Sequence, residues 1–255
     1  MNHGQILDDK LNIAVERWCG WEPQAGALSL CSHYNRGAQA SEALEKPDLS
    51  AVPAIQRRRL GTLARTVFHV LARCADAGEQ EPVVFSSYMG EIGRTQEILD
   101  AIAANASVSP ASFSLSVHNA IGGQWSLIHG IRAPMVALSP PSNSPVPAIL
   151  EAAGMLLEGE YRAINVVYYE EPYPQFYSPF LHGPADPTAL ALRLVPAKEA
   201  GMDGVFRFSL KELPPLASPP DLRANHAALA DLLAGRYDAT RVVEERCSWQ
   251  LERCR

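Results

Sequence analysis

The chain has 255 residues with a formal net charge of −6, and 47% of the residues are hydrophobic while 20% are charged. A chain of this length can bury a full hydrophobic core, so we expect one large domain or one domain with an extension. The acidic charge balance argues against a nucleic-acid partner, which needs a concentrated positive face, and no stretch approaches the roughly 20 apolar residues of a membrane span.

Neither export nor a metal site is indicated by the sequence. The opening residues MNHGQILDDK lack the basic start and apolar run of a signal peptide, so we expect a cytoplasmic protein. The five cysteines are scattered without a C-x-x-C pair, which favours free, mostly buried thiols. The seven histidines show no paired ligand spacing, so we expect no metal and no cofactor.

The first part of the chain is predicted to contain a short strand, a loop and a long helix. Residues 11–15 form an apolar run typical of a strand, and Trp18, Gly20 and Trp21 follow in a predicted turn. Residues 31–51 are polar and small with little periodicity, which indicates a surface loop. Between residues 53 and 75 the apolar residues recur at helical spacing, so we expect one long amphipathic helix.

The rest of the chain alternates between predicted strands and helices. The predicted strands cover residues 82–87, 133–138, 163–169, 189–195, 204–210 and 239–252, and the predicted helices cover residues 95–104, 119–129, 148–158 and 221–234. Residues 112–117 are expected to be loosely extended, and 189–195 alternates with 204–210 like an antiparallel pair. Strand followed by helix, repeated along the chain, is typical of an α/β layered fold.

A series of short motifs lies in order between residues 112 and 171. Asn119 heads a predicted helix, residues 130–134 read GIRAP, residues 135–138 form a strand, and the next helix carries AI at 148–149 and EA at 151–152. This order resembles the ketosynthase (condensing-enzyme) branch of the thiolase superfamily, in which G-L-R-G-P, a strand, T-A-C-[AST]-S and a helix follow an Asn. The resemblance implies an α/β, thiolase-like half-fold with a mixed β-sheet layered with helices, truncated relative to a full ketosynthase.

The resemblance places Ser142 at the family's active-site cysteine, with no gap in the count from Pro134. The dipole of a helix stabilises a thiolate at the helix start and so lowers the pKa of a cysteine thiol there. A serine hydroxyl is too weakly acidic for the helix dipole alone to ionise it. No G-x-S-x-G elbow surrounds Ser142. We therefore expect no catalytic residue here; the alternative is an acyl-thioester transferase or hydrolase that uses Ser142.

A full ketosynthase has a second half that supplies two histidines and a lysine, and no H-G-T-G-T motif for it is present in this chain. The segments RRRL at 57–60, VVFSS at 83–87 and GEIGRT at 90–95 resemble the chain-length-factor-like subunit of bacterial aryl-polyene biosynthesis. The resemblance implies an inactive subunit that forms a heterodimer with a complete β-ketoacyl-ACP synthase in aryl-polyene, type II polyketide or other fatty-acid-like biosynthesis. A homodimeric acyl-carrier or lipid-binding module is a third possibility.

The resemblance also implies where the partner binds. In such pairs the strand before the nucleophile joins its counterpart in one continuous sheet, and the interface limits the length of the acyl tunnel. The residues expected at the interface or tunnel are Phe113, Val117, His118, Asn119, Pro134, Met135, Val136, Ala137 and Leu138.

An acyl carrier protein is expected to act through the same complex. Arg57, Arg58, Arg59 and Arg65 could form a basic face that an acidic carrier protein recognises, although the sequence somewhat favours the simpler interpretation of a solvated basic helix face. The resemblance covers about residues 50–210. We therefore divide the chain into a ketosynthase-like N-terminal domain, 1–210, and a C-terminal extension of linker, helix and strand, 211–255.

Overall fold

A computed structural model describes residues 13–22, 28–33, 39–43, 46–76, 78–197, 206–213, 224–244 and 248–254. Within these residues ten strands form one mixed sheet, and helices pack on both of its faces. The α/β class predicted from the sequence is therefore confirmed. No helix in the described ranges is long and apolar enough to cross a membrane.

Three strands come first along the chain, and after residue 50 helices and strands follow each other in a mixed order. The strands are β1 (Ile13–Glu22), β2 (Leu28–His33), β3 (Gln39–Ala43), β4 (Val83–Ser86), β5 (Met135–Leu138), β6 (Ile164–Glu170), β7 (Thr188–Pro196), β8 (Phe206–Leu213), β9 (Ala239–Val243) and β10 (Ser248–Cys254). The helices are α1 (Ala54–Arg57), α2 (Thr62–Cys74), α3 (Ile92–Ala103), α4 (Pro110–Ser114), α5 (Ala120–His129), α6 (Val146–Glu158) and α7 (Ala224–Leu233).

The strand order across the sheet is β5-β4-β6-β7-β1-β8-β10-β9, with β2 and β3 attached beside β1. β5, β4 and β6 are mutually parallel, and the other pairings are antiparallel. Because β5, β4 and β6 run the same way, their carboxyl ends meet at one side of the sheet. In open α/β sheets that side is where ligands and functional loops gather.

Each face of the sheet buries its own hydrophobic core. Along β6, Ile164, Val166 and Tyr168 join the core under α6 and α7, while Val167 and Tyr169 join the core under α2 and α5. Because successive side chains of a strand point to opposite faces, β6 is buried along its whole length, and its residues are hydrophobic except Asn165 and Glu170.

Two predictions about helices were wrong in their bounds or type. The long helix expected over 53–75 is broken, because α1 ends at Arg57 and α2 begins at Thr62. The guanidinium of Arg65 donates to the carbonyls of Arg57 and Leu60 across the break. The segment expected to be extended, 112–117, contains part of α4 instead, which starts with a proline in its first turn behind a capping serine.

The predictions for the N-terminal region were also incomplete. The expected short strand at 11–15 continues through Trp18 and Trp21, which were expected in a turn, because β1 pairs with β7 and β2 along its length. The region 31–51, expected to be a loop, contains the end of β2 and all of β3.

The last part of the chain extends the same sheet. The expected antiparallel pair 189–195 with 204–210 is not formed, since β1 lies between β7 and β8. The single strand expected over 239–252 is a hairpin of β9 and β10. β8 crosses position 210, and Leu229 and Val242 share the core that contains Val15. The division of the chain at 210 remains a prediction.

The expectation of free thiols holds for one described cysteine and fails for another. Cys74, at the end of α2, is a free and fully buried thiol whose Sγ donates to the carbonyl of Ala191. Cys19, in the middle of β1, is disulfide-bonded. Separation along the sequence gives no guide to such a bond, because a disulfide requires only that the folded chain bring two sulfurs within bonding distance.

Candidate partner interface and nucleophile position

The strand β5 ends the sheet, and its outer edge is open. It pairs with β4 on one side, and no strand of the described ranges pairs with it on the other. All residues of β4 and β6 are buried, whereas none of β5 is: Met135 is 37% exposed, and Val136, Ala137 and Leu138 are half-buried. Val136 and Leu138 still pack against the core. β5 is therefore an apolar edge strand with one side covered.

The other predicted interface residues surround this edge. Phe113, at 61% exposed, and Val117, at 48%, lie at and just after α4. His118 follows, and its Nε2–H donates to the carbonyl of Leu138 at 3.0 Å. Asn119 is exposed as the residue before α5, and Pro134 is exposed at the start of β5. Whether a partner covers these residues is untested, so their role remains a prediction.

A buried carboxylate lies where the carboxyl ends of β4 and β6 meet. Glu170, the last residue of β6, accepts hydrogen bonds from the Ser87 hydroxyl at 3.1 Å, from the backbone N–H of Tyr88 and from the Tyr173 hydroxyl at 3.1 Å. Burial raises the pKa of Glu170 to about 7, against the lowering effect of these donors. Sequence reasoning missed this residue, although a glutamate pair directly after a wholly apolar strand was a signal.

The predicted nucleophile position lies between β5 and α6. Ser142 is the central residue of a 3₁₀ turn, Pro141–Asn143, and α6 begins at Val146. Asn143 has a φ of 49°, a left-handed conformation that costs a non-glycine residue free energy. Asparagine adopts this conformation more readily than most residues. The correspondence of this turn with the nucleophile turn of a ketosynthase remains a prediction.

The hydroxyl next to this turn is held by the tail of the chain. The fully buried Ser144 donates to Glu244, which directly follows β9, and accepts the backbone N–H of Val146 at 3.3 Å. A carboxylate beside the start of α6 is favoured by the helix dipole. The sequence did not reveal this contact, because the two residues are 100 positions apart.

Three histidines of the described ranges make other contacts. His69 is buried, accepts the backbone N–H of Asp48 at 2.8 Å and lies edge-on to Trp21. His129 is half-buried, with its ring centroid 3.9 Å from that of Trp125. His118, also half-buried, donates to the carbonyl of Leu138. None of these contacts joins an imidazole to a serine hydroxyl at the strand-to-helix junction, which is what nucleophilic catalysis by serine requires.

The four arginines expected to face a carrier protein differ in availability. Arg58 and Arg59 are exposed in the turn after α1, and Arg57 is half-buried. Arg65 is committed to the backbone carbonyls of that turn. A carrier protein would therefore meet Arg58 and Arg59 first, and docking at this face remains a prediction.

The fold is shared with solved ketosynthase structures. A chain of the ketosynthase ApeO in complex with its chain length factor ApeC from Xenorhabdus doucetiae is 24% identical with a TM-score of 0.71, and the match covers 96% of this chain and 100% of that chain. The ishigamide ketosynthase/chain length factor is 14% identical with a TM-score of 0.63, and the same shares are covered. The AntDE:AntF complex of a type II PKS acyl-carrier protein with its ketosynthase is 13% identical with a TM-score of 0.56, over 89% of this chain and 75% of that chain. No curated protein matches the chain.

These likenesses confirm the thiolase-like half-fold, and a family model identifies the chain. The model of the beta-ketoacyl synthase N-terminal domain matches residues 32–251, which is most of the chain. The match extends beyond the 50–210 predicted from the motifs and includes the strands of the tail. The chain therefore belongs to the beta-ketoacyl synthase N-terminal domain family.

Proposed function

We propose that the chain is a non-catalytic, chain-length-factor-like subunit that pairs with a complete β-ketoacyl-ACP synthase. The complex would act in aryl-polyene or another type II polyketide synthesis. In it, this subunit would shape the acyl tunnel at the interface with the ketosynthase. The observation that carries the proposal is the open apolar edge of β5 at the end of the sheet.

The physics of an edge strand supports pairing at β5. In the ladder with β4, Pro134 and Leu138 accept the N–H groups of Val83 and Ser87. Along a parallel strand, successive residues direct their backbone N–H and C=O groups alternately to the two sides. The N–H and C=O groups of Met135 and Ala137 therefore point away from β4, toward the open edge. Monomeric proteins usually protect such an edge with charges, prolines or a covering loop. An apolar strand with free backbone donors and acceptors is suited to a second strand from a partner.

The chemistry of the junction supports the lack of catalysis. No cysteine occurs between residues 75 and 246, so no thiol exists near the strand-to-helix turn in the sequence. The hydroxyl of Ser144 donates to the carboxylate of Glu244, and the sequence contains no H-G-T-G-T motif of the second half of a ketosynthase. The ketosynthase–chain length factor complexes among the similar structures are consistent with a supporting subunit.

The test is co-expression with a complete ketosynthase from the same genome. We expect a one-to-one heterodimer by light scattering and co-purification. The variant Ala137→Pro removes an outward N–H and places a ring in the path of a partner strand, while prolines are tolerated on an edge whose N–H faces solvent. We expect at least about tenfold weaker pairing from a lost ladder position, with folding retained.

The matched control is Ala137→Val, which keeps the N–H and a β-forming side chain. This control should pair like the wild-type chain. A wild-type chain that stays monomeric beside the ketosynthase, or an Ala137→Pro variant that pairs normally, contradicts the proposal.

A further inference from the structure

We propose that Glu170 is a positioning residue that holds the end of β5 in the conformation needed for pairing, an inference that rests on the proposed function as a ketosynthase partner. Glu170 lies on β6, two strands away from the open edge, and it is 1% exposed. Within the described ranges, the groups that contact its carboxylate are hydrogen-bond donors of two neighbouring segments. We therefore infer that Glu170 acts through these segments.

The first step of the argument is the set of donors. Glu170 receives the Ser87 hydroxyl and the Tyr88 N–H from the residues just after β4. It also receives the Tyr173 hydroxyl from the segment after β6. The Ser87 oxygen in turn accepts the N–H of Gly90 at 2.7 Å. One carboxylate thus fixes the turn after β4 and joins it to the segment after β6.

The second step links that turn to the edge strand. The backbone N–H of Ser87 donates to the carbonyl of Leu138 at 3.1 Å. The hydroxyl of Ser139 donates to the carbonyl of Tyr88 at 2.8 Å. The His118 ring also binds the carbonyl of Leu138, and it packs against Gly90, where an added Cβ would lie 2.9 Å from Nδ1. The last residues of β5 are therefore held from the turn that Glu170 organises.

The third step concerns the charge on the carboxyl group. These contacts of Glu170, and a further one from the backbone of Met89, all come from donors, and only an ionised carboxylate accepts from all of them. The protonated form carries a proton that it must donate, so at least one of these contacts is lost or reversed. Burial brings the pKa of Glu170 to about 7, so both forms are accessible near neutral pH.

The groups around Glu170 that titrate or carry charge are few in the described ranges. They are the phenols of Tyr88, Tyr169 and Tyr173, the imidazole of His118 beyond Gly90, and the carboxyls of Glu91 and Glu171. The phenols carry pKa values that burial raises in Tyr169 and Tyr173, so these two stay neutral at physiological pH. Glu170 is thus the group of the turn itself whose charge changes near neutral pH.

The experiment measures the dissociation constant of the heterodimer at about pH 6 and about pH 8. For the wild-type chain we expect pairing to weaken about five- to tenfold at the lower pH, the equivalent of one hydrogen bond. The variant Glu170→Gln keeps the shape and does not titrate; its amide accepts from Ser87 and Tyr88 and donates to Tyr173, which is the hydrogen-bond pattern of the protonated acid. Its affinity should therefore be close to that of the wild-type chain at the lower pH, and it should lack the part of the pH dependence that Glu170 causes.

The matched control is Glu171→Gln. This neighbouring carboxylate accepts the N–H of Gly93 at the start of α3 and is not part of the turn after β4. The Glu171→Gln variant should keep the wild-type pH profile. If Glu170→Gln shows the wild-type profile, or if pairing of the wild-type chain does not change with pH, the inference is wrong.

Hydrogen exchange of the isolated chain gives a second readout that needs no partner. At about pH 8, where Glu170 is ionised, the amides of residues 87–90 and 138–139 should exchange more slowly in the wild-type chain than in Glu170→Gln, and at about pH 6 the two chains should exchange at similar rates. Equal exchange of the two chains at both pH values contradicts the inference even if no heterodimer forms. Absence of a heterodimer together with the expected exchange overturns the proposed function and leaves the positioning role of Glu170 supported.

Discussion

His69 is an imidazole with no accessible surface in the middle of α2. Its Nδ1 accepts the backbone N–H of Asp48, which requires the neutral form of the acceptor nitrogen. Burial, with a smaller contribution from Arg73, lowers the pKa of His69 to about 4 from its usual 6.5. The residue thus ties the segment before α1 to α2 as long as it stays unprotonated.

The depressed pKa of His69 predicts a loss of stability in acid. The unfolded chain takes up the proton near pH 6.5 and the folded chain only near pH 4, so the free energy of unfolding falls as the pH drops between them. The loss is about 3 kcal/mol at most. The variant His69→Asn keeps an acceptor and does not titrate. Urea unfolding at several pH values should show a smaller acid loss for the variant; equal losses would contradict the prediction.

Some single residues of the candidate site could be located from the sequence, and others could not. The position of Ser142 followed from counting along a local motif, and the turn lies where the count placed it, between β5 and α6. Glu170 and Glu244 could not be found in the same way. Their partners lie 82 and 100 positions away, so the contacts depend on strand order, which a local pattern does not contain.

At the scale of elements, α5 packs unusually close to the sheet. A Cβ added at Gly122 would lie 3.1 Å from the ring of Phe85, which is fully buried, whereas a Cβ at Gly123 would meet nothing within 4 Å. Alanine raises helix propensity equally at both positions. The two variants therefore differ mainly in the contact with Phe85.

This pair of glycines gives a matched prediction. Gly123→Ala should raise the free energy of unfolding by about 0.5–1 kcal/mol. Gly122→Ala should be about 1–3 kcal/mol less stable than Gly123→Ala, because a packed core resists an added methyl group. Urea unfolding of the two variants side by side measures the difference in the free energy of unfolding. Equal stabilities would contradict the prediction and would mean that α5 can shift away from Phe85 without loss of stability.

Elements with a strong local pattern were predicted well, and those set by distant contacts were not. β4 and β6 are buried apolar runs, and both lie within about a residue or two of their predicted bounds. α4 was missed, although Ser109 and Pro110 carry the start signal of a helix. β3 has the sequence QASEA, which has little β preference, and its pairing with β2 defines it.

At the scale of the whole molecule, the chain has the fold of the beta-ketoacyl synthase N-terminal domain. If it is a non-catalytic subunit as proposed, introducing a thiol by Ser142→Cys should not give condensation, because its sequence contains no H-G-T-G-T motif. We expect no β-ketoacyl product from the isolated wild-type chain or from the variant in an assay with acyl and malonyl carrier protein. Product formation, or a covalent acyl adduct on Ser142 in mass spectrometry, would support the transferase or hydrolase alternative.

The order of the strands in the sheet could not be predicted from the sequence. The α/β class followed from the alternation of strands and helices, but β1 lies between β7 and β8, and the tail adds β8, β9 and β10 to the same sheet. The order of strands in a sheet depends on contacts between residues far apart in the sequence. Local periodicity indicates only which face of a strand is buried.

The open edge of β5 also bears on how a cell can maintain this chain. An uncovered apolar edge is a template for pairing with another chain, including a second copy of itself, so copies whose edge stays open are at risk of aggregation and removal by quality control. If the chain pairs as proposed, the amount of it that persists in a cell would depend on how much partner is available to cover the edge. The two subunits would then have to be produced in matched amounts.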